Sequence, residues 1–219
     1  MPIKQTERGF TLIELLVVMG IIVVLVGGTG FARRSNSASG VALQSAQTEL
    51  AWLLGATRAQ AVLHQTSARL LVYATPPPTG EAAKYLRCLQ IVREEPSDSG
   101  QWNAVSDPIY LPSGIFIVPP VVSATHLVAG LTWPGGQFAP VSTLLGPDGV
   151  AVGGSDFGEA YYVEYNSDGR ADPAVTKLAM ATAQPSRDSF PRFDNPDAVR
   201  GIRLRPAGTI ATVNAAGDF

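Results

Sequence analysis

One acid stands inside the most apolar stretch of the chain: Glu14, in the run FTLIELLVVMGIIVVLVGGTGF from Phe10 to Phe31. A carboxylate costs about 2.5–3.5 kcal/mol at the centre of a membrane helix and less near the interface, so it calls for a partner. The chain itself can supply one. A cut between Gly9 and Phe10 would leave an α-amino cation one helical turn from Glu14, able to meet the Glu14 of a neighbouring subunit and set an assembly register. A second group is Arg200, Arg203 and Arg205, with Arg187 and Arg192 upstream. Arg203 and Arg205 would share one strand face and could contact phosphates. Asp188, Asp194 and Asp197 interleave with them and dilute the field, so a solvated, salt-bridged surface is the default and nucleic acid is not the expected partner.

The remaining polar motifs point away from catalysis. Asn166-Ser167-Asp168-Gly169, followed by Asp172, offers oxygen ligands at short spacing, but the bidentate Glu of a calcium loop is missing. Asp-Gly between two apolar runs is itself a turn signal, so a hairpin turn and no metal are expected. His64 and His126 have no partner at ligand spacing, and no nucleophile elbow is present. Asp156-Phe157-Gly158 has the letters of a kinase triplet without the glycine loop, strand lysine or catalytic loop that would accompany it. The single cysteine, Cys88, cannot form an intramolecular disulfide and reads as a small core hydrophobe. The expectation is a protein that is not an enzyme and holds no cofactor.

The elements that would carry these residues follow from the pattern. The chain has 219 residues, 46% hydrophobic, 16% charged, with net charge −2, so no global field suggests a polyanion partner. Its apolar content is piled up near the N-terminus. The 22 residues Phe10–Phe31 cover about 33 Å as a helix, enough to span a bilayer. Lys4 and Arg8 form a positive flank that holds the N-terminus in the cytoplasm and sends the rest outward. The run is longer than the apolar core of a removed secretory signal. After Arg33 and Arg34, Ser35 to Gln65 reads as an amphipathic continuation of the helix, with Leu43, Ala46, Leu50, Leu53 and Leu54 on its apolar face. Gly27, Gly28 and Gly30 predict a bend or loosened turn near the membrane exit.

Beyond Gln65 the period shortens to strands: Ala68 to Ala74, Tyr85 to Arg93, Ile115 to Val118, Ala160 to Tyr165, Lys177 to Thr182, and Val199 to Val213 broken near Pro206 to Gly208. Partial alternation predicts strands with one face on the helix and one toward solvent. Pro76-Pro77-Pro78-Thr79-Gly80 is a stiff polar connection between the first two strands. The fold class is α+β: a long N-terminal helix, hydrophobic then amphipathic, packed on an antiparallel β-sheet domain. A Gly- and Pro-rich stretch around 119–158 reads as an insertion.

Gly9-Phe10-Thr11-Leu12-Ile13-Glu14, after a short basic leader and before an apolar helix, resembles the class III signal of type IV pilins and pseudopilins. The order of elements is similar to that of the H-type minor pseudopilins of type II secretion and related minor type IV pilins. That similarity rests on Leu50 to Ala61, on Val163 to Arg170 and on Gly201 to Ile210. The resemblance implies a leader, residues 1–9, removed by an inner-membrane prepilin peptidase that also N-methylates Phe10. It implies a transmembrane and filament-core helix over 10–31, an amphipathic continuation over 32–66 and a globular domain over 67–219. The implied role is a minor pseudopilin, a structural subunit assembled into a periplasmic filament for protein export. The alternative is a minor type IV pilin that primes a pilus or binds DNA for uptake. Its implied partners are the peptidase, other pilins or pseudopilins through the N-terminal helix, and the inner-membrane assembly platform. The implied location is the inner membrane, single-pass, with the C-terminal domain in the periplasm.

Overall fold

A computed structural model describes residues 12–97, 99–129, 142–186, 190–195 and 197–219; of the helix before Ser39 it gives the backbone and the side chains of Val17 and Met19. The chain divides into two units, Met1–Ser39 and Gly40–Phe219. The first is described by helix backbone and the few side chains just named. Helix α1 is assigned over Leu12–His64 without a break at Gly27, Gly28 or Gly30, where the sequence predicts a loosened turn.

In the second unit the apolar face of α1 comes out as its spacing requires. Leu43, Ala46, Leu50, Leu53, Leu54 and Ala61 are buried in the main core. Two polar residues on that face are buried with their bonds made. Gln47 donates both amide hydrogens, to Gly201 O and Val213 O at 2.8 Å each, and Thr57 donates back to Leu53 O at 2.7 Å. Gln47 thus ties the helix to two strands while leaving no amide hydrogen unpaired in the core.

Two sheets receive the helix. The first contains β1 (Ala68–Tyr73), β2 (Cys88–Glu94), β3 (Trp102–Ala104), β4 (Ile109–Tyr110), β6 (Leu145–Val152) and β7 (Ser155–Tyr165). The second runs β11 (Ile210–Val213), β10 (Val199–Leu204), β8 (Lys177–Gln184), β5 (Ile115–Ile117), with β9 (Arg192–Phe193) beside β8. The fold is α+β as the pattern implies, with two differences. The antiparallel expectation holds for the second sheet, whereas the first is mixed, because β3 and β6 pair in parallel at Trp102 and Val152. That one pairing also closes the sheet on itself: β1 bonds to both β2 and β7, β7 to β6, β6 to β3, and β3 to β2.

Closure explains why β1 and β2 are buried on both faces. Leu70 and Val72 meet the helix core, while Leu71 points the other way into a second small core with Val92, Val150 and Ala160, flanked by Trp102, Phe157 and Tyr162. The face expected toward solvent is therefore covered by the chain folding back over it. At the mouth of this second core the Arg69 guanidinium lies between two rings, 4.0 Å from the centroid of Trp102 and 4.1 Å from that of Tyr162. It is held there by Glu164 at 2.7 Å.

The strands absent from the sequence reading have two causes. β4 and β9 have two residues each and β3 three, too short for any period to register. β6, LGPDGVAV, lies within the 119–158 stretch, carries Gly146, Pro147 and Gly149, and has two register shifts against β7. Its pairing rests on β7, whose strand begins at Ser155 and is longer than Ala160 to Tyr165 suggests.

Candidate functional site

Gly9 and Phe10 lie outside the described residues. Glu14 sits in the first turns of α1, which starts at Leu12, and its side chain is likewise outside them. Among the described residues no helix is long and apolar enough to cross a membrane. The run Phe10–Phe31 that the sequence offers as a span is, apart from the exposed Val17 and Met19, not among the described side chains.

The arginine group is rearranged by the fold. Arg203 and Arg205 are exposed, on the same side by strand parity, whereas Arg200 is half-buried on the other side of β10. In their place the sheet adds a cation the sequence did not suggest. Lys177 on β8 is the direct cross-strand partner of Arg203. Lys177, Arg203 and Arg205 line a concavity of about 700 Å³ together with Asp218 and Thr212. Burial, and then the Arg203 charge, push the Lys177 amine below its usual range. Like charges directly opposite in a sheet are unfavourable, so this face favours an anion more than the linear sequence indicates. Among the described residues neither Arg203 nor Arg205 makes an ion pair.

The Asn166–Gly169 segment is a turn, as its Asp-Gly predicts. Asn166 Oδ1 accepts from the Arg170 N–H at 2.8 Å, Gly169 N–H donates to Asn166 O at 2.8 Å, and Gly169 has φ +76°. Its carboxylates are engaged locally, Asp168 with Arg170 at 3.3 Å and Asp172 with the Ala174 N–H at 2.7 Å. No group of three acid, His or Cys residues placed to hold a metal occurs among the described residues.

This turn matters for a different reason. Its Gly169 carbonyl accepts a 2.9 Å hydrogen bond from Arg58 Nε of the helix. Gly208, in the β10–β11 turn with φ +77°, lies against the same Gly169 carbonyl and the same Arg58 side chain. Three stretches that the sequence presents separately, Leu50 to Ala61, Val163 to Arg170 and Gly201 to Ile210, are thus one contact in space. Nearby, Tyr165 is fully buried with its hydroxyl unpaired among the described residues, and burial pushes that hydroxyl up to about 12 against the opposing pull of Arg58. Beside the contact an apolar groove of about 540 Å³ runs between the outer face of α1 and the β10–β11 turn. Gly55, Arg58, Ala59, Val62, Gly208 and Ile210 line it.

The two histidines part company. His64 is exposed at the end of α1, while His126 is buried. His126 Nδ1 accepts from the Ser123 N–H at 3.3 Å and from its hydroxyl at 2.8 Å, which leaves the proton on Nε2 to donate to Tyr85 Oη at 3.3 Å. Phe190 packs against the ring at 4.7 Å. Burial pushes the imidazole below its ordinary value, so the fold holds the neutral ring. Its stabilising contribution is complete above the ordinary value near 6.5 and is lost as pH falls through the depressed one. Denaturant unfolding of the full-length chain in detergent is expected to show lower stability at about pH 5 than at about pH 7.5, by about 1.4 kcal/mol per unit of depression. His126→Asn should flatten that slope; identical slopes for both proteins would refute the assignment. Cys88 is buried, and its thiol is pushed up by burial despite the opposing hydrogen bond from Tyr110, which makes it inert.

Comparison with known proteins gives three findings. Residues 4–30 match the family model described as the prokaryotic N-terminal methylation motif. No curated protein matches the chain. Among solved structures, the chain is similar to the minor pseudopilin EpsH from the type II secretion system of Vibrio cholerae. The TM-score is 0.40 at 13% identity, covering 80% of this chain and 94% of that one.

Proposed function

We propose that the chain is a pilin-like structural subunit, a minor pseudopilin of type II secretion, and not an enzyme. In this reading it is made with a leader of residues 1–9, cut after Gly9, N-methylated on Phe10 and drawn from the inner membrane into a periplasmic filament. The observation that carries the reading is the N-terminal methylation motif over residues 4–30, which contains Gly9, Phe10 and Glu14 in order. The physical sense of the arrangement is assembly. Before assembly, residues 10–31 cross the bilayer with Lys4 and Arg8 in the cytoplasm and the domain in the periplasm. In the filament, apolar helices bury against one another while the Phe10 amino group of one subunit meets Glu14 of the next.

Mass spectrometry of N-terminal peptides from membranes tests the first step. A peptide beginning at N-methylated Phe10 is expected; an intact Met1 would refute the reading. Glu14→Ala is expected to leave membrane insertion intact, since it removes an acid from lipid, and to reduce co-purification with filament subunits by about tenfold, the loss of roughly 1.4 kcal/mol of pairing. Normal co-purification would remove the register role of Glu14. The choice of pathway is tested by the extracellular proteome of a strain lacking the chain, where selective loss of exported enzymes is expected.

The cationic row of Lys177, Arg203 and Arg205 favours one second reading, a minor type IV pilin that contacts the phosphates of DNA. A gel-shift titration with the full-length chain, its salt dependence, and loss of binding in the Arg203→Ala/Arg205→Ala variant would support it. An unchanged secretome together with such binding would move the chain to that class.

A further inference from the structure

The outer face of α1 in the second unit carries both a projection and a recess. Trp52 is 63% exposed, an unusual state for the residue type that buries the largest apolar surface. Between six and seven residues further along the same helix is the centre of the groove formed by Gly55, Ala59 and Val62 with Gly208 and Ile210. The small residues Gly55 and Ala59 are among those that line it, and its volume of about 540 Å³ accommodates an indole. Charge follows the same division. Glu49, one turn before Trp52, is half-buried without a hydrogen bond or ion pair among the described residues, and burial pushes its carboxyl up. Arg58, in the wall of the groove, makes its bond to the Gly169 carbonyl and has no acid partner among the described residues.

We infer that the groove is the receptor for Trp52 of a second copy of this chain, the two helices running parallel and the Glu49 of one copy facing the Arg58 of the other. This inference rests on the filament reading above and names a contact for it. Projection and recess are about 10 Å apart along the helix and about 70° apart around it, taking 1.5 Å and 100° per residue. A contact between different patches on the two partners leaves each pair with one free projection and one free groove, so it propagates instead of closing.

Thiol cross-linking in membranes tests this on the full-length chain, with wild type as the control because Cys88 is buried. Thr48→Cys, one turn before Trp52, and Thr209→Cys, at the groove wall, are placed in differently tagged copies and treated with a short bismaleimide. A mixed dimer is expected, absent from either variant alone, and a ladder of higher species when both thiols are in one chain. Trp52→Ala and Ala59→Leu change exposed positions, the first removing the projection and the second filling the groove, and each should lower the product by at least about tenfold. No mixed dimer, a Thr48→Cys homodimer, a product insensitive to both substitutions, or capture of a different protein would overturn the inference. The N-terminus of the same samples separates the two levels: Phe10 processed without a ladder sinks the groove contact alone, and an intact Met1 sinks the filament reading.

Discussion

Replacing Gly208 with alanine is expected to lower the stability of the chain by on the order of 3–4 kcal/mol, seen as a midpoint about 7–14 °C lower in thermal unfolding. Two causes add. The backbone there has φ +77°, where a side chain costs about 1–2 kcal/mol. A methyl group at this position would also collide with the Gly169 carbonyl oxygen and meet Arg58 Nε at 2.8 Å. The carbonyl is backbone in a turn fixed by three bonds of its own, and it already accepts from Arg58, so it cannot retreat without breaking the helix-to-turn contact. Gly153→Ala supplies the comparison: its φ is +59°, and a methyl group there meets nothing within 4 Å. It should carry the conformational cost alone. Equal effects of the two substitutions would mean that the Arg58 contact contributes nothing.

That contact also marks what was legible in the sequence. The helix was readable because Leu43, Ala46, Leu50, Leu53 and Leu54 repeat at 3.6 residues over a long window, and β1, β7, β8 and β10 because they are long enough to show their apolar content. The stretches around Arg58, Gly169 and Gly208 each stand out in the sequence, but their meeting is not predictable from it, since nothing local says that an arginine on a helix will cap a turn 111 residues away. Likewise Arg203 and Arg205 were recognised as a pair, while Lys177 entered only through the β8–β10 register. The second core was invisible for a related reason. Leu71, Val92, Val150 and Ala160 are single apolar residues on four strands, and only the closing of the first sheet through Trp102 and Val152 brings them together. The N-terminal site is the opposite case. The motif matched over residues 4–30 is contiguous in the chain, so it is legible without any fold.

The closing of that sheet leads to the second large expected effect, at Arg69. The β3–β6 seam is one backbone pairing plus the Gly153 N–H to Trp102 O bond at 2.8 Å, which is little to hold a barrel shut. Beside the apolar packing of Trp102 and Val152 on the second core, Arg69 adds to the seam, because its planar cation fills the space between Trp102 of β3 and Tyr162 of β7 and is pinned by Glu164. Each ring contact is worth about 0.5–2 kcal/mol, and the half-exposed ion pair adds at most about 1 kcal/mol after screening. Arg69→Ala is therefore expected to cost roughly 1–5 kcal/mol, and to do so first at the seam. Hydrogen exchange at Gly153 should accelerate before that of β1 and β2, whose pairing with each other and with the helix core is intact. Trp102 emission should change as the cation leaves the indole face. Arg69→Lys separates geometry from charge, since an ammonium keeps the ion pair with Glu164 but cannot lie flat between two rings. If Arg69→Lys matches wild type in Gly153 exchange, charge alone closes the barrel; if it falls near Arg69→Ala, the stacked plane does.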